Sequence, residues 1–343
     1  MSKTISRLLL VLAIIALTSL VAFPDLFLPK DSTQESALAP KAQGPTLEKF
    51  NVSGAFERTL STFLVIDAGK EKGIWASNGL DPQFVTIRRA LTASEIKEQV
   101  ASGLKIGLSS VNEPLIVRSN GVPIRIVASY VGNIPQKIFV GAGSQIKTVN
   151  DLDDKKIGVS SNNSATARTT LYVTSRFGMK VHLIGLGNTA NLVTALRVRR
   201  VDAFTSSDST ILRLVDSGEL RILIHVSDVV DRPHSSFVVW ASDDLIQKNP
   251  ALVKRFVKAT LETVKQLQEN PSYAADLYVK RINSSRELAD KALSQLDWTP
   301  IMGGAELSTA VRNSWQYARD SGSIPSSTTP VKIEDAVDSR FLP

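Results

Sequence analysis

The chain of 343 residues has room for two domains of about 150 residues each. With 43% hydrophobic and 21% charged residues it matches globular averages, which excludes full disorder and a polytopic membrane protein. Its net charge of +7 is scattered along the chain, whereas a nucleic-acid-binding protein would gather its basic residues on one surface. The chain has no cysteine and only three histidines, without metal-ligand spacing. We therefore expect no metal, no cofactor and no nucleic-acid partner.

The first 24 residues have the layout of an export signal. Lys3 and Arg7 precede an uncharged apolar run over residues 8–23, and Pro24 ends that run. The run is at the short edge of the about 17–25 residues that a membrane span needs, and the small-residue site at 37–39 lies far beyond it. We interpret residues 1–24 as a signal anchor or a signal peptide and residues 25–45 as a flexible linker. The remainder is then exported to the periplasm or cell surface, and residues 8–23 are a candidate membrane tether.

Residues 46–343 alternate between strand and helix patterns, which is typical of parallel α/β sheets. The sequence predicts strands at 50–58, 83–87, 105–108, 124–129, 156–159, 181–185, 201–205 and 237–241. It predicts helices at 63–71, 92–101, 165–176, 191–199, 243–270, 273–281, 285–296 and 305–319. The stretches LKIGLSS at 104–110 and VDAFTSS at 201–207 echo each other, one in each half. This repetition indicates two lobes of similar build, with a helical tail packed on the first.

Hydroxyl and amide side chains follow five of the predicted strands, where open parallel sheets bind their ligands. These positions are 59–62, 109–110, 129–130, 160–164 and 206–208. Ser and Thr both donate and accept hydrogen bonds, and the helix start after residue 164 favours an anion. Any one of these residues alone is better interpreted as a helix cap or turn, but the set predicts a pocket.

No pattern in the chain predicts catalysis. The motifs GxSxG, GxxxxGK[ST], HExxH and GxGxxG are all absent. His234 lies beside Asp231 and Ser235 in a Pro-containing loop that indicates a chain reversal and not a triad, and Asp208 is better interpreted as a hydrogen-bond acceptor than as a general base. We expect no catalytic residue and no enzyme.

Six stretches resemble the solute-binding proteins of ABC importers in the aliphatic sulfonate, taurine, nitrate and thiamine-precursor (NMT1-like) group. They are KGIWASNGLDPQFVTI at 72–87, QVASGLKIGLSS at 99–110, GVPIRIVASY at 121–130, IKTVNDLDDKKIGVSSNNS at 146–164, ALRVRRVDAFTSSD at 195–208 and NPALVKRFVKATLETVKQLQENP at 249–271. The resemblance implies an α/β fold of the type II periplasmic-binding-protein kind, with two doubly wound lobes, two crossovers and a helical C-terminal region. It places lobe 1 at 46–131 plus 232–343 and lobe 2 at 132–231.

The resemblance also implies the function and the site. It implies an extracytoplasmic solute-binding protein of an ABC importer that closes on a small polar or anionic solute, such as a sulfonate, taurine or nitrate. A thiamine-precursor pyrimidine, another neutral heterocycle, or a ligand sensor without a transporter remain as alternatives. The implied partners are the small-molecule ligand and an ABC permease, and the expected state is a monomer. Carried over by position, the ligand-binding residues are Leu60, Ser61, Ser109, Ser110, Tyr130, Ser161, Asn162, Asn163, Ser164, Ser207, Asp208 and His234.

Two other classes share the implied fold and fit less well. Enzymes related to the thiamine-pyrimidine synthases use a cysteine-rich iron-binding motif, which a chain without cysteine cannot contain. Effector domains of regulators follow a helix-turn-helix, whereas an export segment precedes residue 46 here. In this family a characteristic turn usually precedes the first strand of the pocket. Residues 103–106 have a different sequence here, which leaves this edge of the implied site less defined.

Overall fold

The computed structural model describes residues 46–343 except 57–59, 88–92, 133, 163, 295, 297, 299, 323, 325 and 326. The predicted export segment and linker, and Asn163 of the predicted site, lie outside these residues. Within the described part of the chain, none of the helices has the length and apolar character that crossing a membrane requires.

Ten strands form two five-stranded sheets. The first sheet contains β1 (Glu48–Phe56), β2 (Leu80–Ile87), β3 (Ile106–Ser110), β4 (Ile124–Val131) and β10 (Phe237–Ser242) in the order β2-β1-β3-β10-β4. The second contains β5 (Lys137–Gly141), β6 (Lys156–Val159), β7 (His182–Gly185), β8 (Ala203–Ser206) and β9 (Leu220–His225) in the order β7-β6-β8-β5-β9. In each sheet four strands run in the same direction and one strand, β10 in the first sheet and β5 in the second, runs antiparallel to both of its neighbours.

Helices connect and cover the strands. They are α1 (Leu60–Glu71), α2 (Ile74–Ser77), α3 (Ala93–Ala101), α4 (Asn112–Ser119), α5 (Ala165–Arg176), α6 (Thr189–Arg197), α7 (Leu212–Asp216), α8 (Asp243–Lys248), α9 (Pro250–Glu269), α10 (Pro271–Ile282), α11 (Arg286–Ser294), α12 (Gly304–Asp320) and α13 (Ile333–Ala336). Short 3-10 helices occupy Val149–Leu152, Ser209–Ile211, Val226–Asp228 and Ser339–Phe341.

The sheets are covered on both faces because their strands are apolar on both. In β5, Ile138 and Val140 join a buried cluster with Tyr172 of α5. Phe139, between them, points to the opposite face and packs with Leu192 of α6. Side chains alternate along a strand, so helices α5 and α6 must lie on opposite sides of the second sheet. This arrangement is the predicted doubly wound α/β class.

Helix α9 shows how local sequence signals set the C-terminal region. Asn249 caps the helix, since its Oδ1 accepts a hydrogen bond of 3.0 Å from the Leu252 N–H. Pro250 follows at the first helical position, where its missing N–H costs nothing. Phe256 and Val264 are fully buried in the cluster that covers the first sheet. The predicted helical periodicity of this region is confirmed, although α8 ends at Lys248 and separates from α9.

Three elements near the pocket edge were absent from the sequence prediction. Strands β5 and β9 form the antiparallel part of the second sheet. Helix α4 begins at Asn112, where the sequence predicted no helix. Proline is tolerated in the first turn of a helix because the N–H groups there have no intrahelical partner, so Pro114 is compatible with this helix start.

The chain passes between the sheets twice. It leaves the first sheet at the end of β4 (Val131) and enters the second at Lys137. It returns after β9 (His225) and re-enters the first sheet at Phe237. After the first passage, β5 pairs antiparallel with β8. After the second passage, β10 pairs antiparallel with β3. Both passages therefore lie near the strand ends that carry the polar residues.

Candidate functional site

A cavity of about 1790 Å³ lies where the ends of both sheets, the two connecting segments and α12 meet. Its walls carry carboxylates, amides, hydroxyls, cations and aromatic rings. The polar residues that line the cavity include Ser110, Asn112, Glu113, Lys137, Ser160, Thr166, Arg168, Thr169, Ser207, Asp208, Thr210, His234, Ser314 and Tyr317.

The first-sheet wall is built from the end of β3 and the start of α4. Ser110 ends the strand, and Asn112 and Glu113 begin the helix. The Oδ1 atom of Asn112 is buried and makes no hydrogen bond within the described structure. Leaving a buried acceptor unpaired costs about 1–3 kcal/mol. This wall therefore offers acceptors that remain available for a ligand.

Glu113 has the most perturbed carboxyl group of the cavity. Burial raises its pKa to about 7, and a hydrogen bond with the Ser109 side chain opposes the shift. No charged neighbour contributes to the shift among the described residues. Such a group, in a cavity and without a counter-ion, is typical of functional sites.

A buried polar layer lies behind Glu113. Tyr130 is fully buried on β4, and its hydroxyl lies 3.1 Å from the Thr62 hydroxyl of α1. The nearby charge of Glu113 adds to the burial that raises the pKa of Tyr130. Ser109 is likewise buried. Two residues predicted to touch the ligand, Ser109 and Tyr130, thus lie beneath the wall and contact or face Glu113.

The second-sheet wall is held by a hydroxyl network at the start of α5. The Thr166 hydroxyl accepts a 3.0 Å hydrogen bond from the Ser160 N–H and lies 2.8 Å from the hydroxyls of Ser160 and Ser164. Ser164 caps the helix by accepting from the Ala167 N–H at 3.2 Å. These bonds fix the loop between β6 and α5, and Ser160 and Thr166 line the cavity.

Among the cations that line the cavity, Arg168 and Lys137 have pKa values lowered by burial. Arg168 lies one turn into α5, and burial lowers its pKa. Lys137 begins β5, donates to the Pro135 carbonyl at 3.2 Å, and has a pKa lowered by burial to about 8. Because desolvation penalises the charged form, both groups gain from an anionic or acceptor-rich ligand.

Asp208 lies at the edge of the same wall, but its carboxylate already has partners. Its Oδ1 accepts hydrogen bonds from the Thr210 N–H at 2.9 Å and from the Thr210 hydroxyl at 2.7 Å. It is the N-cap of the 3-10 helix Ser209–Ile211. Asp208 therefore shapes the wall at least as much as it offers an acceptor.

His234 and Tyr317 lie where the return segment meets α12. Their rings pack edge to face at 5.7 Å, and the Tyr317 hydroxyl lies 2.7 Å from the Thr169 hydroxyl of α5. Burial, with Arg232 nearby, lowers the pKa of His234 to about 4, so the ring is neutral at pH 7. Its Nδ1 is buried without a hydrogen-bond partner in the described part of the chain.

The predicted site residues divide into groups. Ser110, Ser207, Asp208 and His234 line the cavity. Ser109 and Tyr130 are buried behind its wall, Ser164 caps α5, and Ser161 and Asn162 are exposed at the adjoining loop. Leu60 and Ser61 begin α1.

Sequence reasoning missed Asn112, Glu113, Lys137, Arg168 and Tyr317. A signal existed for two of them. Glu113 lies three residues after Ser110, and Arg168 lies four residues after the predicted helix cap Ser164, which places it one turn along the helix. Strand ends alone could not predict Tyr317, because its helix reaches the cavity only through tertiary packing.

The described residues contain no group of three or more His, Asp or Glu that could hold a metal ion. The lining residues also include no serine–histidine hydrogen bond of the kind that activates a nucleophile, within the part of the chain described. The cavity lining combines acceptors on one wall with cations and hydroxyl groups on another, which suits the binding of a polar solute.

Comparison with known proteins identifies related chains and folds. Riboflavin-binding protein RibY from Chloroflexus aurantiacus (strain ATCC 29366 / DSM 635 / J-10-fl) is 26% identical over 271 residues, covering 76% of this chain and 73% of the relative. A solved structure described as the periplasmic sulfonate-binding protein SsuA from Methylobacillus flagellatus KT matches with a TM-score of 0.70 at 18% identity, covering 86% of this chain and 93% of that chain. The desulfurization enzyme DSZB matches with a TM-score of 0.60 at 16% identity, covering 86% of this chain and 97% of the other.

These structural matches show a fold shared by binding proteins and at least one enzyme. They agree with the two sheets of identical strand order and the connections between them. The family described as NMT1/THI5 like matches residues 61–274, which is more than half of the chain. The chain therefore belongs to the NMT1/THI5-like family and has the periplasmic binding protein fold.

Proposed function

We propose that this protein is an extracytoplasmic solute-binding protein of an ABC importer. Its lobes would be residues 46–131 plus 232–343 and residues 132–231, closing on a solute and presenting a surface to a permease. The observation that carries the proposal is the cavity lined jointly by the ends of both sheets and by the two connecting segments. A ligand that contacts both walls binds the closed form better than the open one, and only such a difference in affinity can drive closure.

The location and assembly state follow from the same proposal. The protein would act in the periplasm or at the cell surface as a monomer, with residues 8–23 directing export and serving as a membrane tether. Support comes from the sulfonate-binding structure, which is described as periplasmic, and from the basic and apolar pattern of the N-terminus.

For the solute, the cavity favours an organic molecule with a ring over a small inorganic anion. Pockets for drug-sized ligands occupy about 300–1,000 Å³, and this cavity of about 1790 Å³ has more room than nitrate needs. Phe63, Phe237 and Tyr278 contribute aromatic rings to its lining. The relative RibY is a riboflavin-binding protein. A heterocycle such as a flavin or pyrimidine is therefore our first candidate.

A sulfonate or taurine-like solute is the second candidate. The N-terminal end of α5 favours negative charge, and Arg168 adds a cation one turn along. The structural match to a sulfonate-binding protein supports the same choice. Against it stands Glu113, whose carboxylate would repel an anion placed beside α4.

The test is a thermal-shift screen of the purified protein followed by calorimetry. The panel contains riboflavin, a thiamine pyrimidine, taurine, an alkanesulfonate, nitrate and simple carboxylates. A ligand at 100 times its Kd adds about 2.7 kcal/mol of stability, which is readily measured. A shift with one class identifies the solute. A folded protein that shifts with none of them contradicts the proposal.

The proposal also states that binding involves no chemical step. Recovery of the bound solute unchanged after prolonged incubation, checked by mass spectrometry, supports it. Any product formed in proportion to protein would instead favour an enzyme, as with the similarly folded DSZB.

A further inference from the structure

We infer that Asn112 and Glu113 form an acceptor subsite that selects solutes presenting N–H or O–H donors and discriminates against anions that lack them. The inference rests on the proposed function and names the chemistry of the solute that the cavity takes. The donors it fits are those of a ring imide, an amino-substituted heterocycle or an ammonium group.

The subsite is defined by two neighbouring side chains with spare acceptor capacity. Both residues line the cavity at the first turn of α4. The Asn112 Oδ1 atom is buried and makes no hydrogen bond within the described structure. The Glu113 carboxyl has the Ser109 side chain as a hydrogen-bond partner. An ionised carboxylate accepts about four hydrogen bonds, so most of its capacity is available to a ligand.

Within the described residues, no cation is paired with this carboxylate. The described ion pairs do not include Glu113, and no charged neighbour affects its pKa among the described residues. Helix α4 packs against α3, β3, β4 and α12, and the titratable group that faces Glu113 from these elements is Tyr130 of β4. Tyr130 has a pKa raised by burial and stays neutral at pH 7. A buried charge without a partner is costly, and a ligand donor would remove that cost.

The other wall has the opposite chemistry. Arg168 on α5 is a cation that lines the same cavity. Ser160 and Thr166 beside it are held in one hydrogen-bonded network. A solute with donors at one end and acceptors at the other contacts both walls, whereas a simple sulfonate or nitrate satisfies only one. This asymmetry is what makes the acceptor subsite selective.

The experiment uses two probe pairs that differ by a donor. The pairs are riboflavin with its N3-methyl derivative, and taurine with ethanesulfonate. Calorimetry on the wild-type protein at pH 7.5 should show at least a tenfold lower Kd for the donor-bearing member of the pair that binds. In Glu113→Gln, which keeps the side-chain size and removes the charge, the preference should fall to about threefold or less.

The pH dependence gives a second readout. A donor binds the ionised carboxylate, so affinity should rise as the pH increases through the pKa of Glu113. With that pKa at about 7, the ionised fraction grows about tenfold between pH 6 and pH 8. The Kd of the wild-type protein should fall by a comparable factor, and that of Glu113→Gln should stay flat. Glu306→Gln, an exposed carboxylate outside the cavity, is the matched control and should behave like wild type.

A ligand-free measurement checks that Glu113 is unpaired. Because its pKa is higher in the folded state than in the unfolded state, the folded protein binds the extra proton. Its contribution to stability is present below about pH 4.5 and is lost as the pH rises toward 7. The melting temperature of Glu113→Gln should lack this decline and should equal or exceed that of wild type at pH 8, which also shows that the variant folds.

The outcomes separate the inference from the proposed function. Equal affinity for both members of a binding pair, or an unchanged preference in Glu113→Gln, overturns the acceptor subsite and leaves a solute-binding protein. A folded wild-type protein that binds neither these probes nor any other member of the thermal-shift panel contradicts the proposed function, and the subsite falls with it.

Discussion

The two sheets have the same strand order but fill equivalent positions differently. In the first sheet Gly107 of β3 is paired with Trp240 of β10. In the second sheet the equivalent residues are Phe204 of β8 and Phe139 of β5, whose rings stack at 5.3 Å. One sheet uses a glycine and a large ring, and the other uses two medium rings. A shared topology therefore does not fix which residues fill equivalent positions of the two sheets.

The strand ends differ in a way that bears on function. Strand β3 ends in Ser109-Ser110, strand β8 ends at Ser206 and is followed by Ser207, and an acidic residue follows each strand within four positions. After β8, the Asp208 carboxylate accepts hydrogen bonds from the Thr210 N–H and from the Thr210 hydroxyl. After β3, Glu113 has the Ser109 side chain as its hydrogen-bond partner and lines the cavity. The acidic residue after β8 is thus bonded within its own turn, whereas the one after β3 keeps acceptor capacity for a ligand.

The largest effect on stability is expected from removing one ring of the stacked pair Phe139 and Phe204 in the second sheet. Phe204 is fully buried, and Phe204→Ala should reduce the free energy of unfolding by about 3–5 kcal/mol because it leaves a cavity. Chemical denaturation measures the change. A loss below about 1 kcal/mol would show that the second sheet does not depend on this pair.

Adding a side-chain atom, instead of removing one, tests the corresponding pair of the first sheet. A Cβ at Gly107 would lie 2.7 Å from the Trp240 ring and 2.8 Å from the Ser53 carbonyl oxygen. Gly107→Ala should therefore destabilise the protein by about 1–3 kcal/mol through overpacking. Gly141→Ala on β5 is the control, since nothing lies within 4 Å of its Cβ position. Equal effects of the two variants would contradict the comparison.

Removing the Arg168 guanidinium from the second wall should weaken solute binding more than it lowers the stability of the fold. Arg168→Ala should raise the Kd of the identified solute about 10–100-fold, because hydrogen bonds to charged groups contribute about 1.5–3 kcal/mol. Arg176→Ala, on the same helix but outside the cavity lining, should leave the Kd within about twofold. Calorimetry measures both. A similar Kd for both variants would remove Arg168 from the site.

The smallest effect is expected at Asp208. Asp208→Ala loses a helix cap, which typically costs about 1 kcal/mol, whereas Asp208→Asn keeps an oxygen that can accept from Thr210. If the carboxylate also contacts the solute, both variants should weaken binding, and only the alanine variant should lower the melting temperature of the ligand-free protein. Unchanged affinity in both would make Asp208 purely structural.

Much of the fold could be predicted from local patterns. Strand β6 and helix α5 lie at the predicted positions 156–159 and 165–176, because apolar periodicity and a serine cap act within a few residues. Strands β5 and β9 could not be found this way. They gain their strand conformation from antiparallel partners distant in the chain, which no local window contains.

The candidate site divides along the same line. Polar residues at strand ends are visible in the sequence because parallel strands place their carboxyl ends at one edge. Whether each side chain faces a ligand or its own backbone is decided by neighbours, as Ser164 in its cap and Tyr130 beneath the wall show.

By itself, the sequence determined the α/β class, the repeated strand–helix pattern and the polar strand ends, because periodicity and capping are short-range effects. Tertiary structure alone decided that Glu113 meets the cavity without a counter-ion among the described residues while Asp208 is bonded to its own turn. The physical reason is that burial and hydrogen-bond competition depend on elements from both ends of the chain, so equivalent carboxylates acquire different roles only after packing.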